Sequence, residues 1–212
     1  MEALTQLARG VPWTIALTLT SFLLGALLGL GLCALRLSSS RVLRALATGA
    51  VLLLRSVPPV VWLFIIFFGI GFGYVQLPSF LAAMLGLALI TAANMAEIYR
   101  GALSGVHRGQ TEAAIALGLS PRHRFQDIVG PQMIRIALPS AATFAIGLLK
   151  DTSVASLIGV QDVAFQVNAL AQRSFSGTGI FVIAALLYIA LSLPIAALAR
   201  WTDLRLRAKV AR

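Results

Sequence analysis

The sequence predicts an all-α integral membrane protein of about five spans. Three observations carry that expectation: long charge-free apolar runs, a deficit of charge, and basic residues clustered between the runs. Of 212 residues, 59% are hydrophobic and only 11% charged. A soluble domain ordinarily carries about 25% charged residues to face water. The formal charge of +10 would suit a nucleic-acid binder, but such a protein should look soluble elsewhere. Arginines confined to the gaps between apolar runs instead mark membrane topology.

The first run, Val11 to Leu35, contains no charge. As a helix it extends about 37 Å at about 1.5 Å per residue, enough for a bilayer core of about 30 Å. It is too long for a signal peptide and lacks a strongly basic leader, so it is expected to be retained. Arg36, Arg41 and Arg44 come directly after it, which places this end in the cytoplasm and the N-terminus outside.

A semi-amphipathic piece leads to the second span, Arg55 to Pro78, where Pro58-Pro59 can open a helix. A tight uncharged loop is expected near Gln76 to Ser79. The third span returns over about Phe80 to Glu97, and the small residues of "TAANMAE" permit close packing. The fourth, about Ile134 to Val160, carries Pro139 and the polar stretch "LLKDTS". The fifth, about Gly179 to Ala199, ends in a basic tail with Arg200, Arg205, Arg207, Lys209 and Arg212, predicting a cytoplasmic C-terminus. Of 17 basic residues, only Arg9, Lys150 and Arg173 fall toward the outside in this arrangement.

Metal and thiol chemistry find little support. Cys33 is the only cysteine, so neither a disulfide nor a thiolate zinc site can be built. His107 and His123 lie in a basic loop and read as solvated side chains. No Gly-x-x-x-x-Gly-Lys-[Ser/Thr] loop is present, so any nucleotide hydrolysis belongs to a partner.

The segment 107–131, "HRGQTEAAIALGLSPRHRFQDIVGP", interrupts the hydrocarbon with a polar excursion. Gly109 and Gln110 are expected to break from the third span, with Thr111 as N-cap and Glu112 at the positive helix end. Gly118 supplies a left-handed stop. Ser120 and Pro121 restart a helix as cap and first residue, and Gly130-Pro131 should halt it. Leu117, Leu119, Phe125 and Ile128 are apolar residues in polar surroundings and need something to pack against. Two readings stand: a linker lying against its own bundle, or a rigid knob that docks in a cleft on a soluble partner.

The stretch "EAAIALGLSPRHRFQDIVGP" resembles the cytoplasmic "EAA" loop of bacterial ABC importer permeases. Glu112, Ala113, Ala114, Gly118, Ile128 and Pro131 match that pattern; Leu119, Pro121 and Phe125 suit the same loop. Gly130 stands where leucine is usual and is expected to loosen the end of the second helix. "LLRSVPPVVWLFIIFFG" resembles the family's Arg-Gly-Thr-Pro segment, with Ser56 and Val57 replacing Gly-Thr. "TAANMAEIYRGALSGVHRGQTEAA", "RIALPS" and "LLKDTSVASLIGVQD" are similar to the polar amino-acid subfamily. The resemblance covers nearly the whole chain. It implies a single transmembrane domain of the type I importer (MetI-like) permease fold, with 107–131 as coupling loop.

The resemblance further implies a non-enzymatic subunit of a bacterial inner-membrane importer for a polar amino acid. Its partners would be a second permease subunit, two ABC ATPases that bind ATP and Mg, and an external solute-binding protein. Permeation of an opine or another small solute is the alternative, and a non-transporting scaffold belongs to a different class. A secondary transporter is disfavoured by the small number of spans and the lack of an inverted repeat. For the pathway, the polar groups in or near the apolar zone are Arg55, Asn94, Glu97, Lys150, Asp151 and Thr152, since intramembrane ionisable groups are functional candidates by default. Arg55 and Glu97 could instead pair at the cytoplasmic boundary, and Lys150 could pair with Asp151.

Overall fold

The computed structural model describes residues 2–69, 77–173 and 177–208, and the described residues form helices joined by short turns. In chain order these are α1 (Glu2–Arg36), α2 (Arg41–Ser56), α3 (Pro59–Phe64) and a π-helical stretch (Ile65–Gly69). Next come α4 (Ser79–Ser104), α5 (Arg108–Ala116), α6 (Pro121–His123), a second π-helical stretch (Arg124–Val129) and α7 (Gly130–Asp151). A 3-10 stretch (Thr152–Ile158), α8 (Val163–Arg173) and α9 (Gly177–Ala208) complete the described residues.

Among the described residues, four helical segments are long and apolar enough to cross a membrane: Leu4–Arg36, Ser79–Ser104, Pro121–Ile158 and Thr178–Thr202. The pair Arg41–Ser56 and Pro59–Gly69 is apolar and long enough only when taken together, and it is bent through 103° at Pro58. Val57 is extended and Pro59 opens α3 at its first turn, so the proline pair acts as the helix start that its fixed φ favours. The expected loop near Gln76 falls partly outside the described residues, as do Lys209 and Arg212.

The centre of the bundle is the pairing of α1 with α4. Gly25 and Gly29 face Thr91 and Met95 so closely that added Cβ atoms would lie 2.4 and 2.8 Å from those residues' Cβ atoms. Ala88, Ala92, Ala93 and Ala96 on α4 are buried, as the small residues of "TAANMAE" predict. The Ser21 hydroxyl donates to the Met84 carbonyl across the pair at 3.3 Å. Leu17, Leu63, Ala83, Leu87 and Leu148 extend this core to α3 and α7.

Two sequence expectations about the third and fourth spans are corrected. The third span runs on to Ser104 and is capped at Gly105, so Gly109 and Gln110 are not its break. The helix begun at Pro121 does not stop at Gly130-Pro131 but continues to Ile158. Pro131 lacks an N–H and could not complete an α-helical ladder there. The π-helical turn before it absorbs the defect: the Gly130 N–H bonds to the Phe125 carbonyl, five residues back. A Cβ at Gly130 would sit 2.8 Å from that same carbonyl oxygen. Glycine at this position therefore permits the π turn, and the helix end is not loosened.

The helix α8 was not anticipated, because its 11 residues carry no long apolar run. It seats on α1 and α9 through Val163, Val167, Leu7 and Ile180. Thr14 Oγ1 accepts the Val163 N–H at 3.2 Å, and Gly10 lies so close that a Cβ would meet the Asp162 carbonyl carbon at 2.5 Å. Asp162 is fully buried; its Oδ1 accepts the Phe165 N–H at 2.9 Å. Its Oδ2 and the Tyr188 hydroxyl on α9 have no hydrogen-bond partner among the described residues. Burial pushes the Asp162 carboxyl up to about 7, against the smaller opposing effect of the backbone N–H bonds.

Replacing Gly25 by valine should cost about 1–3 kcal/mol through overpacking. The melting temperature in detergent should fall by several degrees, whereas Gly31→Ala, where a Cβ meets nothing within 4 Å, should leave it unchanged. The raised Asp162 carboxyl predicts a pH effect. Its folded value exceeds the ordinary carboxylate value near 4, so stability should decline as pH rises from about 4 to about 7. Asp162→Asn keeps an acceptor for Phe165 and should flatten that slope in melting scans across this window.

Candidate functional site

The excursion 107–131 folds as a compact projection. His107, rather than Thr111, caps α5: its Nδ1 accepts the Gly109 N–H at 3.1 Å. The helix thus begins at Arg108, and Glu112 lies beyond the first turn. Stabilisation of the positive helix end, which the sequence suggested for Glu112, is largely lost at that distance. Its side chain is exposed and forms no hydrogen bond or ion pair among the described residues.

The stop at Gly118 is a Schellman turn. Gly118 has φ +71°, its N–H bonds to the Ile115 carbonyl, and the Leu119 N–H bonds to the Ala114 carbonyl. A Cβ there would meet no atom within 4 Å, so only the positive φ selects glycine. Ser120 then accepts the His123 N–H at 3.4 Å and Pro121 occupies the first turn, as expected.

Within the Glu-Ala-Ala triplet the residues divide by depth: Ala114 is fully buried, while Glu112 and Ala113 face outward. Ile115 and Leu117 also point out, Leu117 being 76% exposed. Leu119 and Ile128 are partly buried and Pro131 is exposed. Phe125 is half-exposed and lines an apolar groove of about 480 Å³ with Phe22, Met95, Tyr99 and Met133. The projection is anchored by Val106, Val129 and Met133 against Ala102 of α4. Gln132 on α7 donates to Gln110 on α5 at 3.3 Å. A second groove, of about 460 Å³, runs between α5 and the end of α4 and includes Arg108, Thr111 and Glu112.

The pathway candidates separate into two places. Glu97 is the hub of an ion cluster: Arg36 Nη1 lies 2.5 Å from Oε1, Arg100 Nη2 2.9 Å from Oε2, and Arg55 Nη1 3.9 Å from Oε1. Pairing of Arg55 with Glu97 was legible, whereas Arg36 and Arg100 were missed as partners. Arg100, three residues along the same helix, was the available signal. Asn94 is apart from this cluster and donates to the Ile90 carbonyl of its own helix at 2.9 Å.

Lys150 and Asp151 lie at the far end of α7, and no ion pair joins them among the described residues. Thr152 is buried and its hydroxyl donates to the Leu149 carbonyl. Lys150 lines a cleft of about 520 Å³ between α7 and α9, together with Ser153, Tyr188 and Ser192. No group of three or more His, Cys, Asp or Glu side chains suited to a metal occurs among the described residues.

Fold and projection together define a multi-pass helical membrane protein with a capped helix held outside its apolar bundle. Residues 21–208 match the family described as binding-protein-dependent transport system inner membrane component, and the chain belongs to that family. It is 34% identical to a probable amino-acid ABC transporter permease of Bacillus subtilis (strain 168), over 90% of this chain and 84% of the relative. A nopaline transport system permease of Agrobacterium fabrum (strain C58 / ATCC 33970) is 32% identical over 99% of this chain and 93% of its own. Among solved structures, an amino acid ABC transporter crystallised with histidines superposes with a TM-score of 0.89 at 26% identity, covering 96% of this chain and 95% of that one. An inward-facing MetNI methionine ABC transporter gives 0.80 at 19% identity, covering 96% and 97%, and shows the shared fold.

The ion cluster generates a ranked expectation. Glu97→Gln should destabilise most, because it leaves three guanidinium groups without their carboxylate; the loss is about 2 kcal/mol or more. Arg36→Gln should cost more than Arg55→Gln, whose contact is long and half-exposed. Melting of the detergent-solubilised variants would establish the order.

Proposed function

We propose that this chain is the translocating subunit of an ATP-driven importer for a polar amino acid in the bacterial inner membrane. The single observation that carries the reading is the projection: a capped, outward-facing helix whose Glu112 has no partner among the described residues, set on a rod that continues into the cleft. Relatives named as amino-acid permeases support the substrate class. The chain works with a second permease subunit, two ATPases holding ATP and Mg, and an external solute-binding protein. Its N-terminus lies outside and its C-terminus inside, following the distribution of arginines.

The mechanism is alternating access between two arrangements whose balance the docked helices bias. Glu112, Ala113, Ile115 and Leu117 form the contact face toward the ATPase. The Schellman turn at Gly118 fixes the angle between α5 and the rod Pro121–Ile158, so a displacement of the docked helix moves the rod. Lys150 at the other end faces the cleft between α7 and α9, where its ammonium can meet the substrate carboxylate. No bond in the substrate changes.

Likeness to the nopaline permease over nearly the whole chain favours a second reading, an opine as substrate. Titration of the cognate binding protein with amino acids and with opines separates the two.

In the reconstituted transporter, Gly118→Val should insert normally yet lose most of the ATPase stimulation by loaded binding protein, because a β-branched residue resists positive φ. Stimulation equal to that of the unmodified protein would refute the coupling role. Lys150→Gln should leave basal ATP hydrolysis in place and lower substrate uptake at least tenfold in vesicles.

A further inference from the structure

The helix α2 carries a surface that the coupling loop and the cleft leave unexplained. Ser40 caps it, and it packs on the end of α1 and the middle of α4, where Val51 meets Cys33, Ala93 and Ala96. At Pro58 the chain turns through 103° into the α3 segment, so α2 runs transverse to that next helix. At about 100° per residue its side chains fall into three sectors. Ala47 and Val51 face the bundle and are buried. Val42, Leu46 and Leu53 cluster within about 40° of one another, and are 66%, 66% and 58% exposed. Arg41, Arg44 and Arg55 cluster within about 60° on roughly the opposite side, with Leu52 as the apolar exception beside them.

A helix with one apolar and one basic face, transverse to a span, suits the plane of the membrane interface. Charge selects the lipid. Between Glu2 and Glu97 the chain has no acidic residue, and at the α2 end it carries Arg36, Arg41, Arg44 and Arg55. The carboxylate that meets α2, Glu97, is shared by Arg36, Arg55 and Arg100, which leaves the charges of Arg41 and Arg44 in surplus around this helix. Arg41 has no ion pair among the described residues, and Arg44 donates from Nη1 to the Ser38 carbonyl, leaving further donors.

We infer that α2 is an interfacial helix that recruits anionic phospholipid, with Val42, Leu46 and Leu53 among the acyl chains and Arg41 and Arg44 on the headgroup phosphates. The occupant of this face is the lipid itself. Each arginine near an anionic surface favours such lipid by about fivefold before screening. High salt weakens that preference.

The test uses the full chain in vesicles, with Cys33→Ser and Leu46→Cys carrying bimane at position 46. Brominated phosphatidylglycerol should quench the probe more strongly than brominated phosphatidylcholine at equal mole fraction. Arg41→Gln/Arg44→Gln, or 1 M salt, should abolish the difference while quenching by both lipids persists. A bimane at Leu186→Cys on α9 should be quenched alike in all variants, reporting intact insertion. Three results would overturn the inference: no quenching at position 46 by either lipid, equal quenching by both in the unsubstituted arginine background, or a disulfide linking two copies through the thiol introduced at position 46 in the unlabelled protein.

Discussion

The architecture depends on how closely α1 approaches α4. Two glycines on α1 lie one helical turn apart against Thr91 and Met95, and the buried alanines of α4 complete the seam. In hydrocarbon there is no water to expel between helices, so association relies on backbone proximity and dense packing. Three further elements are seated on this pair. The helix α2 rests on it through Val51, α8 is clipped to α1 by Thr14 and Gly10, and α7 completes the core through Leu148.

At one end of the pair sits an ion cluster with more cations than anions, and this imbalance has a structural reason. Glu97 draws in Arg36 from α1 and Arg55 from α2, fixing where three chain segments meet. At the Asp162 site the arrangement is reversed. A single carboxyl is enclosed with no cation in an ion pair with it among the described residues, and it is held by backbone N–H groups.

Much of this was legible from the chain, and the failures share a cause. Spans were visible because hydrocarbon thickness imposes length, and Gly118 and Ser120-Pro121 were visible because turn chemistry is local. His107 was misjudged because an imidazole can cap a helix as Thr does, while the sequence favoured the more usual residue. The continuation through Gly130-Pro131 was hidden because those residues normally end helices; the π turn that rescues them is a property of the backbone ladder. The outward set of the projection was only partly readable. Ala114 and Ala113 are identical side chains, and only the fold determines which is buried.

The π-helical stretch at Arg124–Val129 has one more consequence, in rotation rather than in strength. Each residue of an α-helix advances the azimuth by about 100°, so a wider turn acts as a phase shift between the helical segments on its two sides. Ahead of the shift are the residues that set the projecting helix α5; behind it, on the same rod, is Lys150 facing α9. The shift therefore sets which face of α7 lines the cleft when the projection points away from the bundle. Insertion or deletion of one residue between Pro121 and Lys150 would leave hydropathy and length almost unchanged, yet would turn the cleft-lining face into its neighbours.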